Sequence, residues 1–157
     1  MKISVGGDHA GFPLKKKVVS VIKELGHEVV DYGCYDENPI DFPDITETVC
    51  ESVLEGKADR AFLVCGTGVG ASIAANKIPG IRASVCHDIY SAHQCVEHDD
   101  VNVMCVGAQI VGPKIVEELI ESFLKATFST SEEFRRRVKK LGDMEVKYSK
   151  KLLTNQQ

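Results

Sequence analysis

The chain lacks any excess of basic charge: 19 Lys and Arg stand against 23 Asp and Glu, for a net charge of −4. That excludes a charge-driven partnership with nucleic acid or an anionic membrane surface. No apolar run approaches bilayer-spanning length, which excludes a helical membrane span. No linker, internal repeat or low-complexity tract interrupts the chain, so residues 1–157 are read as one domain, long enough to bury a real core. "MKISVGGDHAG" enters a strand-like run with no secretory apolar region, and no leader is expected. There is no C-x-x-C pair. Six cysteines, at 34, 50, 65, 86, 95 and 105, lie mostly inside apolar runs. They are expected to be reduced thiols, mostly small core residues, in a cytoplasmic protein.

Strand and helix patterns alternate. "KISVG" (2–6), "HEVVDYG" (27–33), "RAFLVC" (60–65), "IRASVC" (81–86) and "VNVMCVG" (101–107) read as five buried strands. The first helix is expected over 14–25, with Pro13 in its first turn and Gly26 capping its end. The second covers 41–56, with Val49, Val53 and Leu54 inward, and another covers 88–98. Residues 112–126 carry a helical stripe of Ile115, Val116, Leu119, Ile120, Phe123 and Leu124. The charged segment 131–152 has a thin apolar seam at Phe134, Val138, Leu141 and Met144. Such a helix buries too little to order itself alone and is expected to lie across a partner subunit, while 153–157 fray. Five near-continuous apolar strands separated by helices predict a three-layer α/β/α sandwich: a five-stranded parallel, Rossmann-like sheet plus an extra C-terminal helix.

In such sheets ligands bind beyond the carboxyl ends of the strands. Strand one ends at Gly6-Gly7-Asp8-His9, strand three at Cys65-Gly66-Thr67-Gly68, strand four at Cys86-His87-Asp88. The expected pocket holds Asp8, His9, Cys65, Thr67 and His98. Its most distinctive stretch is "LVCGTGVGASIAANKIPG" (63–80), where a thiol precedes three glycines within five residues, Gly66, Gly68 and Gly70. Consecutive backbone N–H groups at a helix start stabilise negative charge. They are expected to lower the Cys65 pKa and to cradle an oxyanion, as proton abstraction beside a carbonyl requires.

Other readings of these residues compete. "GTGVGA" fits a loose G-x-G-x-x-A dinucleotide pattern, with Asp88 at ribose-contact distance along the chain, but it follows the third strand and Pro79 cuts its helix short. There is no G-K-[ST], which removes a P-loop, and Ala71 stands where a cysteine phosphatase would close its anion loop with arginine. Asp8 also suits a helix cap. His87, His93, Cys95 and His98 resemble metal ligands, yet a five-residue helical spacing diverges by about 140°. Neither metal nor cofactor is expected.

"GGDHAGF", "DFPD", "CGTGVGASIAANKIPGIRA" and "EHDDVNVMCVG" together resemble the ribose-5-phosphate isomerase B family, which includes galactose-6-phosphate isomerase subunits. The resemblance runs from residue 2 to about 148. It implies a homodimer or homotetramer with active sites at the subunit interface, and metal-free aldose–ketose isomerisation of a sugar phosphate: ribose 5-phosphate or a related pentose, hexose or tetrose phosphate. By position, Cys65 would be the base and Asp8 would contact hydroxyls or shuttle protons. Thr67 and the N–H groups of Gly66, Gly68, Val69 and Gly70 would hold the enediolate oxygen. His98 would open the sugar ring and His9 would face the phosphate, with Asp99 and Arg137 also toward substrate. Some departures follow from the same comparison. Phe42 replaces a usual tyrosine, Asp99 an asparagine, Gln109 an arginine, and "SEEFRRRV" keeps Arg137 but has Glu133 at the first arginine. Two alternatives therefore accompany the isomerase reading: a non-catalytic or partner-dependent sugar-phosphate-binding subunit, and an isomerase of an unphosphorylated sugar.

Overall fold

In the computed structural model, described over residues 1–154, five parallel strands form a single sheet in the order β2-β1-β3-β5-β4. They are β1 (Lys2–Gly7), β2 (Glu28–Asp31), β3 (Arg60–Cys65), β4 (Ala83–Val85) and β5 (Val103–Gly107). The helices are α1 (Phe12–Glu24), α2 (Phe42–Leu54), α3 (Val69–Ala75), α4 (Ile89–Asp99), α5 (Pro113–Lys125) and α6 (Glu132–Thr154). Pro13 and Pro113 sit in the first turns of α1 and α5, where a missing N–H costs nothing. The expected fraying covers 153–157; α6 runs through Thr154, and residues 155–157 lie outside the described residues.

The period-two alternation of the central strands divides the core into two layers. Ile3, Val5, Phe62, Val64, Met104 and Val106 face α1, α4 and α5. Ala61, Leu63, Val103 and Cys105 face α2 and α3. Phe62 meets Phe123 edge-to-face at 5.2 Å between centroids, and Arg60 caps the end of α5 by donating to the Phe123 and Ala126 carbonyls. Two predicted inward positions prove exposed. Leu54 is 48% and Ile115 42% exposed, because each lies about 100° around its helix from the buried Val53-side and Val116-side rows. Thr46 and Cys50 take the inward positions of α2 instead.

All six cysteines are free, five of them buried and Cys65 half-buried. Among the described residues, no helix is long and apolar enough to cross a membrane. The helix α6 lies against its own α4, where Phe134 stacks on His98, and Glu145 accepts the Gly80 N–H. The rest of its seam stays open: Leu141 and Met144 are exposed.

Candidate active site

The strand order reverses at β1, which pairs with β2 on one side and β3 on the other. Ligand crevices form at such a point, beyond the carboxyl ends. The first two functional candidates meet there. The Cys65 thiol, at the end of β3, donates to Asp8 Oδ2 at 2.9 Å, and Asp8 Oδ1 accepts the Gly11 N–H at 2.8 Å. Asp8 is only 6% exposed. It thus holds the turn that leads into α1, whose N-cap is Gly11, and receives the thiol at once. Gly11 permits this approach: a Cβ there would lie 1.9 Å from the Val64 carbonyl oxygen.

The glycine turn closes over the thiol. Gly68 adopts φ +79°, a left-handed conformation that glycine takes freely, and it leads into α3. Thr67 is exposed, and its Oγ1 accepts the Val69 N–H at 3.3 Å. The backbone N–H groups of Gly68 and Thr67 do favour a thiolate at Cys65, as expected. They are outweighed. Burial first, then the hydrogen bond to Asp8 and its charge, push the thiol pKa up rather than down. The expectation of a lowered pKa is corrected: it counted the local turn and not the carboxylate 57 residues earlier in the chain.

Further groups frame this edge. His9 accepts the Ile40 N–H through Nδ1 at 3.3 Å, and the Phe42 ring lies over Gly70. Gln109, whose N–H bonds the Gly66 carbonyl, sets its carboxamide beside Gly66. His87 accepts the Gly107 N–H at 3.0 Å. Sequence reasoning assigned no site role to His87 and placed Gln109 only by likeness. The signal for His87 was available, since it follows β4 just beyond the carboxyl edge.

His98, Asp99 and Arg137 do not join this cluster within one chain. The helix α4 runs antiparallel to the strands, so it ends at the amino edge. There the Asp99 and Asp100 carbonyls accept from Arg82, just before β4. That edge lies about 13 Å along the sheet from the Cys65 level, four strand residues at roughly 3.3 Å each. The expectation that His98 lines the Cys65 pocket of its own chain is therefore corrected. At the amino edge His98 stacks on Phe134 at 4.0 Å, and the Arg137 guanidinium lies over the same ring. Arg137 also pairs with Glu133 at 3.6 Å. A groove of about 380 Å³ runs alongside, between α6 and β4, with Arg82, Asp99, Leu141 and Glu145 among its lining residues. The four residues that resemble metal ligands are dispersed: His87 is at the carboxyl edge, His93 pairs with Glu97, and Cys95 is buried against Cys86. Among the described residues no three His, Cys, Asp or Glu side chains are grouped to hold a metal ion.

The sequence profile of the Ribose/Galactose Isomerase family matches residues 3–141. The chain is 42% identical over 127 residues to ribose-5-phosphate isomerase B of Escherichia coli, covering 81% of this chain and 85% of that protein. It is 40% identical over 131 residues to D-erythrulose-4-phosphate isomerase of Pectobacterium atrosepticum, covering 82% of this chain and 85% of that protein. Among solved structures, ribose-5-phosphate isomerase B of Clostridium thermocellum superposes with a TM-score of 0.91 at 42% identity, over 94% of this chain and 99% of that one. The expected α/β fold and family resemblance are both borne out.

Proposed function

Because the chain belongs to the Ribose/Galactose Isomerase family, we propose that it interconverts an aldose and a ketose sugar phosphate by moving a proton between adjacent carbons. The observation that carries the mechanism is the Cys65–Asp8 pair beneath the glycine turn. Proton abstraction beside a carbonyl needs a base and a cradle for the oxygen that becomes negative. The thiol hands its proton to Asp8 Oδ2. The resulting thiolate takes the proton from the substrate carbon and returns it to the neighbouring one. The developing enediolate oxygen lies against the backbone N–H groups of the turn 66–70, with the exposed Thr67 at its rim. Asp8 thus acts as the thiol's proton acceptor, and no redox partner enters the balance.

The second half of the site belongs to a partner. His98, Asp99 and Arg137 stand a strand's length from Cys65 in their own chain, while apolar Val69 and Ile73 are exposed on α3 beside the glycine turn. The open seam of α6 offers apolar surface of the same kind. A second copy that lays its α4–α6 corner over α3 buries both surfaces and completes the site. His98 then opens the cyclic sugar, Asp99 meets hydroxyls, and Arg137 meets the phosphate together with His9.

The substrate is a sugar phosphate of the class that the relatives' names span, a tetrose, pentose or hexose phosphate. Two observations favour a second reading, an unphosphorylated sugar: Glu133 pairs with Arg137, and the uncharged Gln109 lies beside Gly66. The deciding experiment assays the purified single chain on phosphorylated and free aldoses from four to six carbons. Turnover of a phosphorylated aldose that Cys65→Ala abolishes supports the proposal. No turnover of any sugar, with binding retained, leaves a non-catalytic binding subunit.

A further inference from the structure

His87 takes no part in that mechanism, yet it holds the surface on which the mechanism rests. The β4–β5 ladder ends early: register pairing stops at Val85 and Cys105, and the last backbone bond runs from the Cys86 N–H to the Cys105 carbonyl. The next inward N–H on β5 belongs to Gly107, and the His87 ring receives it at 3.0 Å. An imidazole therefore adds the rung that the backbone of β4 no longer supplies. On its other side the end of β5 is tied to the site itself: the Ala108 N–H bonds the Cys65 carbonyl at 2.8 Å and the Gln109 N–H bonds the Gly66 carbonyl at 3.0 Å.

The glycine turn rests directly on this strand end. A Cβ on Gly107 would lie 2.8 Å from the Thr67 backbone, and one on Gly68 would lie 3.2 Å from the Val106 carbonyl carbon. Backbone approaches backbone closely at both points, with the Ile110 side chain packed beside Gly107, so a shift of Gly107 is passed on to Thr67 and Gly68.

We propose that His87 is a positioning residue, which by accepting the Gly107 N–H fixes the end of β5 and so aims the 66–70 turn at the reacting carbons. The inference rests on the isomerase reading and deepens it. A ring nitrogen accepts only in the neutral imidazole; the imidazolium has no acceptor. Burial lowers the His87 pKa, against the opposing pull of neighbouring Asp88. Asp88 is the charged group that acts on the ring, and the end of β5 meets it with the Gly107 backbone N–H. The acceptor form thus persists below the ordinary imidazole range. With Nε2 accepting, the proton is assigned to Nδ1 from this bond.

The test uses His87→Gln, whose side-chain oxygen reaches the Nε2 position without titrating, and His87→Phe, which fills the ring's space and accepts nothing. On the sugar phosphate turned over best, His87→Phe is expected to lose kcat by about 10–100-fold with little change in KM, as misaimed catalytic groups do. His87→Gln should keep kcat and lose an acid inflection that the parent shows. Independently of turnover, the Gly107 amide resonance in ¹⁵N-labelled parent should shift as His87 titrates and stay flat in His87→Gln. Parent-like kcat in His87→Phe, equal kcat losses in both variants, or a Gly107 resonance blind to pH would overturn the proposal. If His87→Phe does not fold, the His87→Gln profile and the Gly107 resonance decide. If no sugar is turned over, the isomerase reading fails, and the Gly107 resonance alone tests what His87 holds.

Discussion

The Cys65 thiol and the Asp8 carboxylate, 57 residues apart in the chain, are joined by a hydrogen bond of 2.9 Å. Burial raises the thiol pKa most, and the carboxylate raises it further, both as acceptor of its proton and as a nearby negative charge. A base held in its protonated form is useful only if its proton has somewhere to go, and in the proposed mechanism the same carboxylate is that place.

Asp8→Asn separates the two effects. Removing the charge should lower the thiol pKa, so iodoacetamide should alkylate Cys65 faster at neutral pH than in the parent. Turnover should nonetheless fall by about 10²–10⁴-fold, the usual worth of a positioned acid or base, because the thiol proton has lost its acceptor. Cys65→Ala should lose at least as much while keeping its melting temperature. Slower alkylation in Asp8→Asn, or near-parent turnover in Cys65→Ala, contradicts the mechanism.

The proposed division of the site between two edges of the sheet makes a mixing experiment decisive. Cys65→Ala and His98→Asn should each be nearly inactive alone on cyclic sugar phosphates. In a hybrid dimer with shared sites, one site carries both lesions and the other carries neither. Unfolding and refolding an equal mixture should therefore restore about a quarter of parental activity by random pairing of a symmetric dimer. His98→Asn alone should spare tetrose 4-phosphates, which cannot cyclise. No recovery on mixing would place both groups in one chain's site or remove His98 from the chemistry.

The sequence makes one central strand, β3, legible to the residue, and the reason is physical. Residues 60–65 are buried on both faces, so their apolar run is continuous and β3 spans Arg60–Cys65 as expected. Edge strands bury less, and β4 shrinks from the expected 81–86 to Ala83–Val85. Asp8 and Cys65 could be gathered by the rule that ligands lie beyond the carboxyl ends of parallel strands. His98 could not, because the helix after β4 returns to the opposite edge, and nearness in sequence to a site loop says nothing of that. The rise in the Cys65 pKa was equally out of reach, since it depends on which strand lies beside β3.

Two glycines give a paired test of the backbone packing under the site. Gly11→Ala places a Cβ 1.9 Å from the Val64 carbonyl oxygen, an overlap that only movement of α1 or β3 relieves. Overpacking of this kind costs about 1–3 kcal/mol or more. Thermal denaturation should show a clear drop in melting temperature, and activity should fall with it. Gly112→Ala meets nothing within 4 Å at a φ of −85° that alanine adopts, so its melting temperature should match or slightly exceed the parent's. Equal melting temperatures for the two variants would mean that α1 is not held against β3 as described.

The anion-reading half of the site yields the last prediction. Arg137 is exposed and pairs with Glu133 one helical turn away at 3.6 Å. Such a surface pair contributes only about 0–1 kcal/mol to stability, so Glu133→Gln should fold normally. Its effect should appear on substrate. An arginine–phosphate contact is worth about 1.5–3 kcal/mol, and a carboxylate beside the guanidinium opposes it. Glu133→Gln should therefore lower KM for phosphorylated sugars several-fold and leave free sugars unaffected. Gln109→Arg, from the opposite half of the proposed site beside Gly66, should act in the same direction, and Arg137→Ala in the reverse. The measurement is the ratio of kcat/KM for a phosphorylated aldose to that for its free counterpart, in the parent and the three variants. A ratio that rises in the first two and falls in the third places the phosphate between Gln109 of one protomer and Arg137 of its partner. A ratio near one in the parent that only Gln109→Arg raises would favour the unphosphorylated sugar. A high ratio that none of the three moves would put the phosphate elsewhere.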